Sequence, residues 1–162
     1  NLGANVININ ILKGGTSTLT RDVSAGGRQI TNEIQKQVGV SFEEAEILKC
    51  GGEVSGVDPK NVEEIVKTAS ISLVTEVQRS FDFYLSTSQE GRIDKVYLSG
   101  GSSKIKGIVE AISERTGIPT EAVNPFMKIG IKQKSLDAEN LKKDAALLCV
   151  GVGLAIRRPG DK

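Results

Sequence analysis

The chain has 162 residues, 38% of them hydrophobic and 25% charged, with a formal net charge of +1. That suits one soluble globular domain able to bury a core, with room for a small insertion. It offers no basic excess for nucleic acid, no acidic tail, and no apolar run near the roughly 20 residues that cross a membrane directly.

Asn5–Leu12 alternates, with Ile7, Ile9 and Ile11 on one face and Asn8 and Asn10 on the other, which predicts a half-buried strand. Lys13-Gly14-Gly15 reads as a hairpin turn into a β-branched partner strand, Thr16–Val23. Gly26-Gly27 break that strand. Ile30, Ile34 and Val38 then recur at helical spacing up to a Gly39 C-cap. Ser41-Phe42-Glu43-Glu44 fits a capping box and opens a short helix running to Cys50 and stopping at Gly51-Gly52. Asp58-Pro59 starts a long helix, Asp as N-cap and Pro in the first turn. Its stripe is Val62, Ile65, Val66, Ala69, Leu73, Val77, Phe81 and Tyr84, and it ends near Leu85 before a polar loop, Ser86–Gly91.

Val96–Leu98 is the next strand. It runs into Gly100-Gly101 and then straight into a helix with the stripe Ile105, Ile108, Val109 and Ile112, closed by Gly117 and Pro119. Thr120–Val123 reads as a weak strand and Asn124-Pro125 as a turn. Met127–Lys142 reads as a loop. Asp144–Ile156 is apolar on nearly every face, which predicts a fully buried helix whose Gly151 and Gly153 permit close packing. The order of elements predicts an α/β fold with a mixed sheet: the hairpin is antiparallel and the later strand–helix units need parallel crossovers.

Histidine is absent, which removes Ser-His-Asp and Cys-His catalysis and all His-based metal sites. Cys50 and Cys149 make no CxxC pair and read as two reduced cysteines of a cytosolic protein. Trp is absent too, so a stacking platform for single-stranded nucleic acid is not expected. The first residue is Asn1, no signal-peptide pattern follows, and Asn1-Leu2-Gly3 looks like the end of a strand cut in half. A piece of a longer protein is therefore expected.

Three places carry chemistry. Gly100-Gly101-Ser102 between strand and helix either lets a flat ligand lie on bare backbone, with Ser103 capping the helix, or is simply a tight turn. It is not a Walker A loop, because Ile105-Lys106 breaks that pattern. Gly3 either lets backbone amides approach a phosphate or is an ordinary strand-end glycine. Glu46 and Lys49 share one helix face, either as a ribose clamp or as a solvated ion pair. Gly151-Val152-Gly153 is no dinucleotide fingerprint, since Ile156 stands where the third glycine belongs.

Taken in order, these segments resemble the second half of the actin-like ATPase fold, shared by actin and the cell-division protein FtsA. Asn1–Leu12 looks like its second phosphate motif. Gly26-Gly27 with Glu43–Gly51 is similar to the segment whose Glu and Lys contact the ribose. Val96–Gly107 looks like the adenosine motif, and Ala146–Ala155 is similar to the second connecting motif beside the interdomain hinge. Within that fold, Glu76–Tyr84 and Gly151–Arg157 look most like the PilM family of type IV pilus assembly.

The resemblance implies an actin-like (ribonuclease H-like) second lobe. Residues 1–39 and 86–162 would form its core, and residues 40–85 an inserted small subdomain plus the long helix. It implies ATP and Mg²⁺ as ligands. Adenine and ribose would rest on Gly100, Gly101, Ser102, Ile105, Glu46 and Lys49; phosphates would face Gly3, Ala4 and Asn5; Asn1 would face metal and phosphates. It further implies a cytoplasmic scaffold, peripheral at the inner-membrane face, working with other pilus assembly proteins. A PilN-like cytoplasmic N-terminal tail would be gripped through a first lobe that is not in this chain. The fold usually carries Asp where Asn1 stands, and Thr or Ser where Asn5 stands. An amide brings no negative charge to Mg²⁺, so the resemblance implies slow turnover at most. An ATP-hydrolysing actin-fold enzyme and a nucleotide-silent structural module are the alternatives left open.

Overall fold

The computed structural model describes residues 1–88, 91–129, 141 and 143–158. Strand β1 (Ile7–Lys13) and strand β2 (Thr16–Val23) form an antiparallel hairpin. Gly14 and Gly15 both have positive φ, +57° and +82°. That is the backbone a two-residue turn requires if it is to match the strand twist. Ile7 and Ile9 are buried as the alternation predicts, and a register shift between Ile11 and Leu12 bends the outer end of the hairpin.

Helix α1 (Arg28–Val38) ends on Gly39 in the left-handed conformation. Helix α2 (Phe42–Lys49) opens on the predicted capping box: Ser41 Oγ accepts from the Glu44 amide (3.2 Å), and the Glu44 carboxylate accepts from the Ser41 amide (2.8 Å). Helix α3 (Pro59–Thr87) is capped by Asp58 and has 29 residues, about 44 Å at 1.5 Å per residue. It outlasts the expected end at Leu85 because the Thr87 hydroxyl donates to the Phe83 carbonyl (2.9 Å) and completes a last turn. Its stripe packs on α1, α2 and α4 (Ile108–Thr116), and Leu73, Ile30, Ile34 and Ile112 lie at the centre of the core.

Strands β3 (Val96–Leu98) and β4 (Thr120–Ala122) pair in parallel across α4. The α/β class therefore holds, with both antiparallel and parallel pairing, divided among the described residues between two sheets rather than held in the one mixed sheet expected. The described strands form two small sheets, joined by Leu2, which bridges to Ile7 on one side. On the other side the Leu2 amide donates to the Ser99 carbonyl (2.6 Å), and the Leu2 carbonyl accepts from the Ser102 amide (3.0 Å).

Three local expectations are corrected. The double glycine runs into a single 3₁₀ turn, Gly101–Lys104, and α4 begins only at Ile108, after Gly107 at φ +78°. Ser103 does not cap it; its hydroxyl donates back to the Gly100 carbonyl (2.6 Å). The C-terminal stretch is not one buried helix. A 3₁₀ turn (Ala145–Leu147) leads into helix α5 (Cys149–Ala155), and no residue of α5 is buried. Val150, Leu154 and Ile156 are each more than 60% exposed, because among the described residues nothing packs over that face. Nor do Gly151 and Gly153 permit close packing, since a Cβ on either would meet nothing within 4 Å. The expected loop Met127–Lys142 begins inside a 3₁₀ turn, Pro125–Lys128, capped by Asn124. Residues 130–140 and 142 lie outside the described residues.

Candidate functional site

The Gly3 carbonyl is the centre of the site. It accepts from the Gly27 amide (3.0 Å) and from Ser102 Oγ (2.9 Å). Beside it the Ala4 carbonyl accepts from the Arg28 amide (2.9 Å). Two of the amides that open α1, those of Gly27 and Arg28, are therefore spent on the N-terminal segment and are not free to bind an anion. The Gly3 amide donates to the Val6 carbonyl (3.0 Å) and closes a turn whose tip, Ala4-Asn5, is exposed.

Glycine is required here by the close approach of another segment. A Cβ on Gly26 would lie 2.5 Å from the Ala4 carbonyl carbon and 2.6 Å from the Asn5 nitrogen, and one on Gly27 would lie 3.0 Å from the Ser102 Cβ. Gly100 has φ +93°, and a Cβ there would overlap Asn1 Oδ1 and the Leu2 carbonyl. Gly101 differs from its neighbour. It is exposed, and a Cβ there would touch only Leu147 Cδ2, at 3.4 Å.

The Glu46–Lys49 pair joins this knot through Thr31, one turn into α1. The Thr31 hydroxyl lies 3.2 Å from the Gly27 carbonyl and hydrogen-bonds Glu46 Oε1. Lys49 Nζ donates to Thr31 Oγ1 (3.0 Å) and to Glu46 Oε1 (2.5 Å). Lys49 is buried at 4% exposure, whereas the Glu46 side chain is 39% exposed. The ammonium is thus a buried anchor and the carboxylate the accessible partner. Partial burial works against the charged form of Glu46, but hydrogen bonds from Lys49 and Thr31, with the charges of Lys49 and Arg28, outweigh it. They hold the carboxyl below its ordinary value.

Ile105 is buried and faces Gly27. Asn1 lies against Gly100, its Nδ2 donating to Asn8 Oδ1 (3.0 Å), while Asn8 Nδ2 donates to Asp22 (2.8 Å). Among the described residues no group of three or more acidic or cysteine side chains could hold a metal ion. Cys50 and Cys149 are free, and burial pushes both thiols up.

The fold thus brings every predicted site residue into one connected region. Gly3, Ser102 and Ile105 meet at Gly27; Ala4 and Asn5 lie against Gly26; Asn1 and Gly100 flank Leu2, with Gly101 next along the chain; Glu46 and Lys49 attach through Thr31. What the list of candidates lacks is the hub, Gly27 and Thr31. Its signal lies in Gly27-Arg28-Gln29-Ile30-Thr31, where a threonine four residues after a helix-opening glycine can reach that glycine's carbonyl. Lys104, ion-paired with Asp144, is a second omission, and it ties the 3₁₀ turn at Gly101 to the C-terminal segment.

The fold recurs in solved structures. The chain matches a protein of the PilM-PilN type IV pilus biogenesis complex with a TM-score of 0.80 at 24% identity, covering 96% of this chain and 44% of that one. It matches the ethanolamine utilization protein EutJ from Carboxydothermus hydrogenoformans with a TM-score of 0.66 at 19% identity, covering 96% of this chain and 46% of that one. The molecule is a lobe of the actin-like ATPase fold, spanning less than half the length of the solved chains it matches. The profile of the type IV pilus assembly protein PilM matches residues 1–159, and the chain belongs to that family. No described helix is long and apolar enough to cross a membrane.

Proposed function

We propose that this lobe forms one wall of an ATP cleft in a cytoplasmic, PilM-type scaffold of type IV pilus assembly, whose partner affinity depends on the bound nucleotide. The observation that carries the reading is the convergence of the three predicted segments on the Gly3 carbonyl, beside the exposed Gly101 backbone and the accessible carboxylate of Glu46. A purine would lie along Gly101. The Glu46 carboxylate, fixed by Lys49 and Thr31, would accept from the ribose hydroxyls, and the exposed Ala4-Asn5 turn would face the phosphates. Lys49 would act by positioning Glu46.

The donor set bears differently on Mg²⁺. Asn1 contributes one amide already tied to Asn8, and this wall presents no carboxylate cluster among the described residues. The ion would therefore come with the nucleotide's phosphates, with Asn1 at its water shell, and the described residues of this wall would bring no carboxylate cluster to it. Nucleotide bridging two lobes would fix the angle between them and bias partner binding through contacts that differ between open and closed states. A PilN-like tail would dock on the other lobe and hold the protein at the inner-membrane face. That assignment is supported by family membership and by the likeness to the PilM-PilN structure.

The test is ATP·Mg²⁺ titration of the full-length protein against two variants. Gly101→Val fills the open face, its Cβ meeting only the end of the Leu147 side chain at ordinary contact distance; it should leave the unfolding midpoint nearly unchanged and weaken ATP at least tenfold. Glu46→Gln should weaken ATP severalfold. Equal affinities for all three proteins remove this wall from the site, and no thermal shift with ATP·Mg²⁺ in the parent makes the protein a nucleotide-silent module.

A further inference from the structure

A second concavity lies behind the α2–α3 connection, on a surface that none of the nucleotide residues line. Its volume is about 750 Å³, within the range of ligand sites. Its apolar lining comes from Leu48, Val54, Val57, Val62, Val66 and Ala111. Ser70 also lines it, on the inner face of α3. Ser70 is 4% exposed, and its hydroxyl has no hydrogen-bond partner among the described residues. A buried, unsatisfied hydroxyl is destabilising and rare enough in folded proteins to need a reason. Here it borders a cavity, where an incoming group could satisfy it.

The charges around the cavity are unequal. Glu53, Glu63, Glu110 and Glu114 stand against Lys67 and Lys106, and Lys106 is already tied to Glu63 (3.1 Å). These carboxylates come from three elements: the α2–α3 loop, α3 and α4. Glu110 and Glu114 sit one turn apart on one face of α4, while Glu53 brings its charge from the α2–α3 loop. A compact cation held by the α4 pair leaves Glu53 unanswered. An extended segment with several basic groups would reach carboxylates on more than one element.

We infer that this cavity binds a short aliphatic and basic peptide segment of a partner protein, its apolar side chains on the Val54–Val66–Ala111 floor, a backbone amide on Ser70, and Lys or Arg side chains on Glu110 and Glu114. Ser70 can donate or accept, so it suits either face of an amide. The inference stands apart from the nucleotide reading, and neither outcome decides the other.

The experiment is methyl-resolved NMR titration of the full-length protein with three acetylated, amidated tetrapeptides: Leu-Leu-Arg-Arg, Leu-Leu-Glu-Glu and Ser-Ser-Arg-Arg. The first should shift the methyl signals of Val54, Val66 and Ala111, and bind at least tenfold tighter than either of the others. The double reversal Glu110→Lys with Glu114→Lys should cut its affinity at least tenfold. Ser70→Ala should weaken it severalfold while leaving the free protein as stable as before or more so, since the orphaned hydroxyl is gone. Equal binding of all three peptides, shifts confined to other methyls, no shifts at millimolar peptide, or indifference to the charge reversal would each overturn the proposal.

Discussion

Two parts of this chain carry paired glycines, and they use them in opposite ways. In the knot around Gly3, glycine stands where two segments touch: Gly26 against the backbone of Ala4-Asn5, Gly27 against the side chain of Ser102, Gly100 against the Asn1 side chain and the Leu2 backbone. In α5, Gly151 and Gly153 have nothing among the described residues within 4 Å of where a Cβ would stand, and Val150, Leu154 and Ile156 around them are exposed. The same residue type therefore marks close approach in one region and bare surface in the other. A glycine in a sequence says that a side chain is missing; only the fold says what takes its place.

The strongest way to break this contrast is Gly26→Ala. All the nearest atoms that a Cβ would meet are backbone, of Ala4 and Asn5, so no side chain can swing away. Overpacking against fixed main chain costs on the order of 3 kcal/mol, a large share of a typical domain's total stability. The expected outcome is a denaturant midpoint well below that of the parent, or no folded protein. A midpoint within experimental error of the parent would mean that the N-terminal segment is not seated as described.

The polar half of the knot can be tested next. Thr31→Val keeps the shape and removes the hydroxyl to which Lys49 donates. With Lys49 buried, the loss should be about 1–3 kcal/mol. Glu46→Gln removes the charge opposite Lys49 and should cost about 1–2 kcal/mol, below the figure for a buried pair because the Glu46 side is partly solvated. It also carries a pH signature. The folded-state pKa of Glu46 lies below its ordinary value of 4.5, so its stabilisation is fully present above that value and is lost as pH falls through the folded value. Parent and Glu46→Gln should differ at pH 7 and converge on acidification. Parallel stability curves across that range would assign the difference to packing.

These residues also show what a sequence can and cannot display. The hairpin was legible because Ile7, Ile9 and Ile11 alternate and Gly14-Gly15 admits one turn geometry; the capping box and the α3 stripe were legible because their rules are local. Glu46 and Lys49 were legible as a pair through their spacing. Three things were not. The hub at Gly27 and Thr31 depends on contacts with Gly3 and Ser102, far away in the chain, and no local pattern reports those. Ile105 looked like the start of the α4 stripe because its spacing fits, but Gly107 breaks the backbone between them. The α5 stretch looked buried because composition records how apolar a segment is, not whether another surface covers it.

The smallest effects belong to α5, and their size is the point. Gly153→Ala adds a methyl group in open space and lowers the backbone freedom of the unfolded chain, so it should stabilise this 162-residue chain by about 0.5–1 kcal/mol, opposite in sign to Gly26→Ala. Val150→Asn replaces a 63% exposed valine and should shift the denaturant midpoint by less than about 0.5 kcal/mol, as surface substitutions do. In the full-length protein the same valine tests the cover directly. If a second lobe packs on α5, an asparagine there must desolvate its amide, and the cost should rise to about 1–3 kcal/mol. A loss that stays under about 0.5 kcal/mol in both proteins would mean that this apolar face stays open in the longer protein as well, and that its pattern is not the trace of an interlobe contact.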